Sequence, residues 1–185
     1  MKFELSEFER ELLMSLREGI AQILIYKLGP LYPSLVSLTS QCGKTVTLGV
    51  REEYVGYRFE VFPLRVTDNK LSSKPDQIME CSNVNSHCTV SILQKSEWDE
   101  PASDETKAVM LGNPDGATTL YEGRASDIPD CAINQATLQA GIEITGDDGG
   151  RVLIATSMFP YSLYVSGCDF SEAFDPDVYE RIKLC

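Results

Sequence analysis

The spacing of apolar residues changes from four to two near Pro33, and this change constrains the fold more than any other feature of the sequence. Before it, the spacing of four predicts an amphipathic helix over residues 6–28, from about Ser6 to Leu28. Ser6 and Glu9 have the Ser-x-x-Glu spacing of a capping box at its start. Gly19 allows a break into a helix pair, and Gly29-Pro30 ends the helix. The apolar stripe consists of Phe8, Leu12, Leu16, Ile20, Leu24 and Leu28.

Within this helix the sequence predicts different energetic roles for two residues. Leu16 lies on the apolar stripe, so it is expected in the core, where truncation to alanine is costly. Glu9 belongs to the capping box, and a much smaller contribution to stability is expected from it.

Beyond Pro33, apolar and polar residues alternate as in strands with one buried face. Residues 46–50 and 55–61 predict one β-hairpin. Residues 138–144 and 152–155 predict a second one around the glycine-rich turn at 146–150. Further strands are predicted at 88–93 and 161–165 and, more weakly, at 108–111 and 118–121. Loops are predicted at 66–80 and 95–107. Residues 176–184 are predicted to form a short helix or a last edge strand.

These elements predict one α+β domain over residues 1–185. An N-terminal amphipathic helix, or a helix pair, packs on a mainly antiparallel β-sheet built from hairpins. The chain has 185 residues, of which 43% are hydrophobic, so it is long enough to bury a sizeable core.

The formal net charge of −12 comes entirely from the second half of the chain. Residues 1–95 contain 11 acidic and 11 basic side chains, whereas residues 96–185 contain 17 acidic and 5 basic ones. The acidic residues of the second half are concentrated in two runs, and acidic runs form either a solvated face or a docking surface for a basic partner. The candidate partner-binding residues are Glu97, Asp99, Glu100, Asp104 and Glu105 in a first run, and Asp169, Glu172, Asp175, Asp177 and Glu180 in a second.

The charge excludes a nucleic-acid binder that works through bulk positive charge. It favours a non-enzymatic acidic binding protein of bacterial or phage immunity or inhibitor type, with a basic protein such as a toxin or nuclease as its partner. A nucleic-acid mimic belongs to the same class. Two alternatives are a small enzyme, using Cys81 and His87 or a carboxylate pair, and a structural or assembly subunit.

The chemical motifs of the sequence are incomplete, so neither a cofactor nor a metal is predicted. The segment Gly43-Lys44-Thr45 resembles the end of a phosphate-binding loop, but it lacks the earlier glycine and is followed by strand-like sequence. The turn at 146–150 lacks the ligand pattern of a calcium loop. His87 is the only histidine, and with Cys81 and Cys88 it has no spacing of a structural zinc site.

The predicted location is the cytoplasm. The first residues lack the pattern of a secretory signal, and no apolar stretch approaches the roughly 20 residues needed to span a bilayer. The 6 cysteines are expected to be free thiols, because cytosolic proteins rarely keep disulfides.

Overall fold

Two β-sheets, a separate two-stranded hairpin and one short α-helix make up most of the described part of the chain. All described strand pairs are antiparallel except one, which confirms the mainly antiparallel prediction. The sequence predicts one sheet, whereas the structure has two that share a core. The computed structural model describes residues 1–29, 32–55, 59–80, 84–98, 135–147, 149–157, 161–166 and 175–185.

The chain begins with strand β1 (Lys2–Phe3) and helix α1 (Glu7–Met14), followed by a 3-10 turn at Ser15–Glu18. The predicted capping box is present. The Ser6 hydroxyl accepts a hydrogen bond from the Glu9 amide at 3.3 Å, and the Glu9 carboxylate accepts one from the Ser6 amide at 2.9 Å.

The predicted helix over residues 6–28 is wrong beyond residue 18, because residues 20–28 form strand β2 (Ile20–Leu28). The chain changes direction at Gly19, whose φ of +94° favours glycine. A Cβ at Gly19 would also lie 2.6 Å from the carbonyl oxygen of Ser86, so a side chain has no room there. The second helix of the predicted pair is therefore a strand.

A β-bulge shapes the burial pattern of β2. The register with the neighbouring strand shifts between Ile20 and Gln22, which adds one residue to β2. Ile20, Ile23 and Ile25 are consequently all buried. The buried positions of β2 therefore do not follow the four-residue spacing that predicted a helix, and Leu28 of that stripe is 60% exposed.

The remaining strands belong to the two sheets and the small hairpin. In chain order they are β3 (Tyr32–Ser40), β4 (Thr45–Val50), β5 (Glu53–Val55), β6 (Phe59–Val61), β7 (Leu64–Thr67), β8 (Gln77–Glu80), β9 (Cys88–Trp98), β10 (Gln135–Gly146), β11 (Arg151–Thr156), β12 (Leu163–Val165) and β13 (Glu180–Lys183).

The N-terminal sheet has the strand order β7-β4-β3-β2-β8. Its centre is a meander of consecutive strands, and β7 and β8 are added at its two edges. The hairpin predicted from residues 46–50 and 55–61 is wrong in its pairing, since β4 pairs with β3 and β7. Strands β5 and β6 pair with each other instead. The loop predicted at 66–80 contains β8 and the end of β7.

The C-terminal sheet has the strand order β12-β11-β10-β9-β13, with β1 parallel to β10. The predicted hairpin around residues 146–150 is confirmed as β10 and β11, and the strands predicted at 88–93 and 161–165 are confirmed as β9 and β12. β9 continues to Trp98, into the segment predicted as a loop at 95–107. Residues 176–183 form a 3-10 turn followed by the edge strand β13. The candidates at 108–111 and 118–121 lie outside the described residues.

The hydrophobic core lies between the two sheets. Ile92, Ile142 and Ile154 are neighbours on three adjacent strands of the C-terminal sheet, and they belong to one buried cluster with Val36 and Leu48 of the N-terminal sheet. Leu13 of α1 and Leu16 of the 3-10 turn are also members. Within the described ranges, no helix is long and apolar enough to cross a membrane.

The opposite face of the C-terminal sheet is apolar as well. A second buried cluster there contains Leu93, Leu138 and Leu153, together with Val61 of β6 and Tyr179. Tyr179 directly precedes β13 and is 8% exposed, so its burial fixes the start of the edge strand. This anchoring places the C-terminal acidic residues beside β9.

Candidate functional site

The structure describes four of the ten carboxylates that the sequence predicts as partner-binding residues. Glu97 from the first run lies near the end of β9. From the second run, Asp175 and Asp177 lie at the 3-10 turn before β13, and Glu180 begins β13. We call these four residues the acidic edge. The other six, Asp99, Glu100, Asp104, Glu105, Asp169 and Glu172, lie outside the described residues.

The pairing of β9 with β13 places the described members of the two runs at the same end of these two strands. Glu180 is the register partner of Gln94, whose amide nitrogen donates a hydrogen bond to the Glu180 carboxylate at 3.2 Å. Gln94 and Glu180 are 86 positions apart in the chain. The contact therefore depends on the tertiary structure.

Lys95 contacts a carboxylate of the first run and a tyrosine next to the second. Its Nζ lies 2.6 Å from Oε1 of Glu97 and 5.9 Å from the ring centroid of Tyr179, a cation–π distance. Tyr179 stands between Asp177 and Glu180 in the chain. Lys95 thus offsets part of the negative charge and holds the end of β9 against the start of β13.

The local conformation of the second run follows from its sequence. The side chain of Asp175 accepts a hydrogen bond from the Asp177 amide at 3.0 Å, and Pro176 occupies the first position of the 3-10 turn. Asp175, Asp177 and Glu180 are all exposed, and they flank the buried Tyr179. The acidic edge therefore presents three exposed carboxylates around one buried aromatic anchor.

Two of the residues considered for metal or cysteine chemistry, His87 and Cys88, are described, and they differ in exposure. His87 is exposed, whereas Cys88 is buried with its thiol donating hydrogen bonds to the carbonyls of Ser86 at 3.0 Å and Val84 at 3.4 Å. Cys81 lies outside the described residues. Among the residues that are described, no group of three His, Cys, Asp or Glu could hold a metal ion.

The two glycine-rich motifs are turns of hairpins. Gly43 has a φ of +82° between β3 and β4, and Thr45 begins β4, as the strand-like sequence after it indicates. Gly149 has a φ of +84° in the turn between β10 and β11. Neither motif is followed by the helix or ligand pattern that phosphate or calcium binding would need.

A carboxylate between two guanidinium groups was not predicted from the sequence. Glu143 is 8% exposed, and it accepts a hydrogen bond from Nε of Arg181 at 2.8 Å and forms an ion pair with Arg151. A cleft of about 260 Å³ lies beside Arg151. Because these residues come from three strands, only the register of the C-terminal sheet brings them together.

Comparisons with known proteins identify no relative: no protein-family model, no curated protein and no solved structure matches this chain. Its function therefore has to be inferred from the geometry of the described residues.

Proposed function

We propose that this chain is a non-enzymatic binding protein that docks a basic surface of a partner protein through the acidic edge. The observation that carries the proposal is that the pairing of β9 with β13 places two acidic runs, distant in sequence, at the same end of the sheet, where Lys95 contacts Glu97 and Tyr179. Complementary charge accelerates encounter and selects the partner. A buried tyrosine beneath exposed carboxylates keeps these charges in a fixed position.

Trp98, the last residue of β9, is the register partner of Gln135, the first residue of β10. The segment between them, residues 99–134, is acidic in sequence. This segment contains eight acidic and two basic residues. In the proposal, the first run, Asp99, Glu100, Asp104 and Glu105 included, and the second run with Asp169 and Glu172 belong to the same docking surface.

Recognition by charge also fits the position of β13. An edge strand that carries charged side chains resists pairing with a strand of another molecule. β13 contains Glu180, Arg181 and Lys183 among its four residues. The partner would therefore contact the side chains of the acidic edge and would not extend the sheet.

More specifically, we propose an immunity or inhibitor-type protein of bacterial or phage origin. Its partner would be a toxin, a nuclease or another effector whose functional surface is basic because it binds nucleic acid or another anion. The proposed location is the cytoplasm, where cysteines remain reduced. Cys42 and Cys185, both exposed, are free thiols.

The experiment measures association with the partner, isolated by affinity capture from the native host, at two salt concentrations. The test variant combines Asp175→Asn, Asp177→Asn and Glu180→Gln, and the asparagine introduced at the first of these positions keeps an oxygen acceptor for the 3-10 turn. The control variant combines Glu7→Gln, Glu11→Gln and Glu18→Gln, which removes the same charge from exposed positions in and after α1.

We expect the test variant to associate at least about tenfold more slowly at low salt and to show a weaker dependence on salt. The control variant should lose much less, because its charges do not belong to the acidic edge. If the two variants slow association equally, the acidic edge contributes only through the net charge of the protein. An unchanged association rate in the test variant would identify these carboxylates as solvated surface.

A further inference from the structure

Two tyrosine hydroxyls converge on a single carboxylate at the surface. Tyr54 in β5 donates a hydrogen bond to Oε1 of Glu52, and Tyr161 donates one to Oε2. Tyr161 is 109 positions away from Glu52 in the chain. Neither tyrosine is buried by this contact, since Tyr54 is 54% exposed and Tyr161 is 44% exposed. Two large aromatic rings therefore stand in solvent around one negative charge.

A third ring completes the arrangement. Phe62, which directly follows β6, contacts Tyr161 with a centroid distance of 5.8 Å and an interplanar angle of 72°. Two rings at this angle form the walls of a corner, because their faces point in nearly perpendicular directions. We call Glu52, Tyr54, Phe62 and Tyr161 the aromatic corner.

The backbone of Tyr161 adopts a costly conformation to build this corner. Its φ is +59°, and Tyr161 is the only residue other than glycine with a positive φ among the described residues. A bulky side chain in this region is strained by of order 1–3 kcal/mol, and such strain persists where the surrounding structure requires it. Here it accompanies a hydroxyl that reaches Glu52 and a ring that contacts Phe62.

The electrostatics of the aromatic corner are negative. The faces of aromatic rings carry negative potential, and a phenol that donates its proton to a carboxylate becomes more electron-rich. Glu60 is the cross-strand partner of Tyr54 and adds a second carboxylate. The nearby cation Arg51 is engaged by Glu53 at 2.9 Å. The corner is therefore complementary to a cation.

The protonation states support this chemistry at neutral pH. The hydrogen bond to Glu52 is the main cause that raises the pKa of Tyr54 to about 12, and the same kind of bond raises the pKa of Tyr161. The two hydroxyls in turn lower the pKa of Glu52. Glu52 stays ionised and both tyrosines stay protonated over the range in which a ligand would bind.

We propose that the aromatic corner binds a quaternary or methylated ammonium group. Arginine pairs best with a carboxylate through two parallel hydrogen bonds, and at Glu52 it would compete with the tyrosine hydroxyl that each carboxylate oxygen already accepts. A lysine ammonium is strongly hydrated and needs several acceptors. An alkylated ammonium needs neither, because it is held by ring faces and by charge. This site is separate from the acidic edge and does not depend on it.

The experiment titrates the full chain with tetramethylammonium chloride and follows ring-proton chemical shifts by NMR. Neopentyl alcohol serves as the neutral probe of similar shape, and guanidinium chloride as the competing cation. The test variants are Glu52→Gln, which removes the charge, and Tyr161→Leu, which removes a wall. The control variant is Phe8→Leu, which removes an aromatic ring that is 57% exposed on α1. Thermal unfolding checks that each variant is folded.

We expect saturable binding of tetramethylammonium that exceeds the binding of both other probes. Glu52→Gln and Tyr161→Leu should each weaken it about two- to fivefold or more, and Phe8→Leu should leave it unchanged. If a variant fails to fold, Tyr54→Leu takes its place. The proposal would be overturned if tetramethylammonium binding does not saturate, if neopentyl alcohol binds equally well or if guanidinium binds more tightly. It would also be overturned if folded variants of the aromatic corner keep the wild-type affinity.

Discussion

Glu9 ties the start of α1 to β7, because its Oε1 accepts a hydrogen bond from the amide of Val66 at 3.0 Å. The two residues are 57 positions apart. Its other oxygen accepts the hydrogen bond from the Ser6 amide that completes the capping box. Glu9 is 9% exposed, so it is a buried connection between the helix and the N-terminal sheet as well as a cap.

This contact predicts an acid-sensitive contribution to stability. Burial raises the pKa of Glu9, but the hydrogen bonds from Val66 and Ser6 outweigh it and leave the pKa below the ordinary 4.5. A carboxylate whose pKa is lowered by folding stabilises the fold above its unfolded pKa, and this contribution is lost as the pH falls through the folded pKa. We therefore expect Glu9→Gln to lower the free energy of unfolding at pH 7 and to flatten its decline below pH 4.5.

Urea unfolding at several pH values measures this effect. Glu11→Gln is the control, because Glu11 is an exposed carboxylate of the same helix. A decline below pH 4.5 that is as steep in Glu9→Gln as in the wild type would show that Glu9 does not carry it.

A second prediction compares Glu9 with Leu16. Leu16 is fully buried, so Leu16→Ala should cost about 2–5 kcal/mol through lost transfer energy and a cavity. Glu9→Ala leaves the buried amide of Val66 without its acceptor, which costs about 1–3 kcal/mol, and also removes half of the capping box. The difference in unfolding free energy between Leu16→Ala and Glu9→Ala should thus be smaller than the sequence predicts. Equilibrium unfolding of both variants measures it.

Local elements of the fold were predictable, and pairings between distant segments were not. The hairpin of β10 and β11 was predictable because its strands are consecutive and their alternation is regular. The additions of β7, β8 and β13 to the sheet edges depend on packing, which alternation does not encode. The four-residue spacing of Ile20, Leu24 and Leu28 predicts a helix, but it does not match the burial pattern of β2, in which Leu28 is exposed.

The candidate sites show the same division. The two acidic runs are visible in the sequence as charge, but their placement at the same end of the sheet depends on the register of β9 and β13, which Lys95 and Tyr179 reinforce. The aromatic corner has no sequence signal of this kind, because Tyr161 joins Glu52 across 109 positions. Its one local sign is the positive φ of Tyr161, which only the structure shows.

A third prediction concerns Gly141, which follows the register shift in β10. A Cβ there would lie 2.5 Å from the carbonyl oxygen of Ile154 and 2.8 Å from the Cα of Ala155, both backbone atoms of β11. Gly141→Ala should therefore cost about 1–3 kcal/mol or more by forcing the two strands apart.

Gly49→Ala is the matched control in thermal unfolding experiments. Its Cβ would meet the end of the Leu35 side chain at 2.8 Å, which can rotate away. A cost for Gly141→Ala no larger than that for Gly49→Ala would contradict the close approach of β10 and β11.

A fourth prediction concerns the ion pairs of Glu143. Arg151 is 45% exposed on its side chain, so Arg151→Ala should cost less than about 1 kcal/mol. Glu143→Ala should cost more, about 1–3 kcal/mol, because it leaves Arg151 and Arg181 close together without their shared carboxylate. When Glu143→Ala is already present, adding Arg151→Ala should leave the free energy of unfolding unchanged or raise it. Urea unfolding of the single and double variants would detect this as non-additivity. Additive effects would mean that Glu143 acts through packing alone.

The last prediction concerns the reactivity of the described cysteines. The Ser40 hydroxyl lies 3.0 Å from the Cys42 thiol and is the main cause that lowers the pKa of Cys42, with help from the Lys44 amide and the Lys44 charge. The thiolate is the reactive form, so exposed Cys42 should be alkylated by iodoacetamide faster than exposed Cys185, and Cys88 should react only on unfolding because it is buried. Ser40→Ala should slow Cys42 and leave Cys185 unchanged, as peptide mapping by mass spectrometry would show. Equal rates for Cys42 and Cys185 in the wild type would contradict a role for the Ser40 hydroxyl.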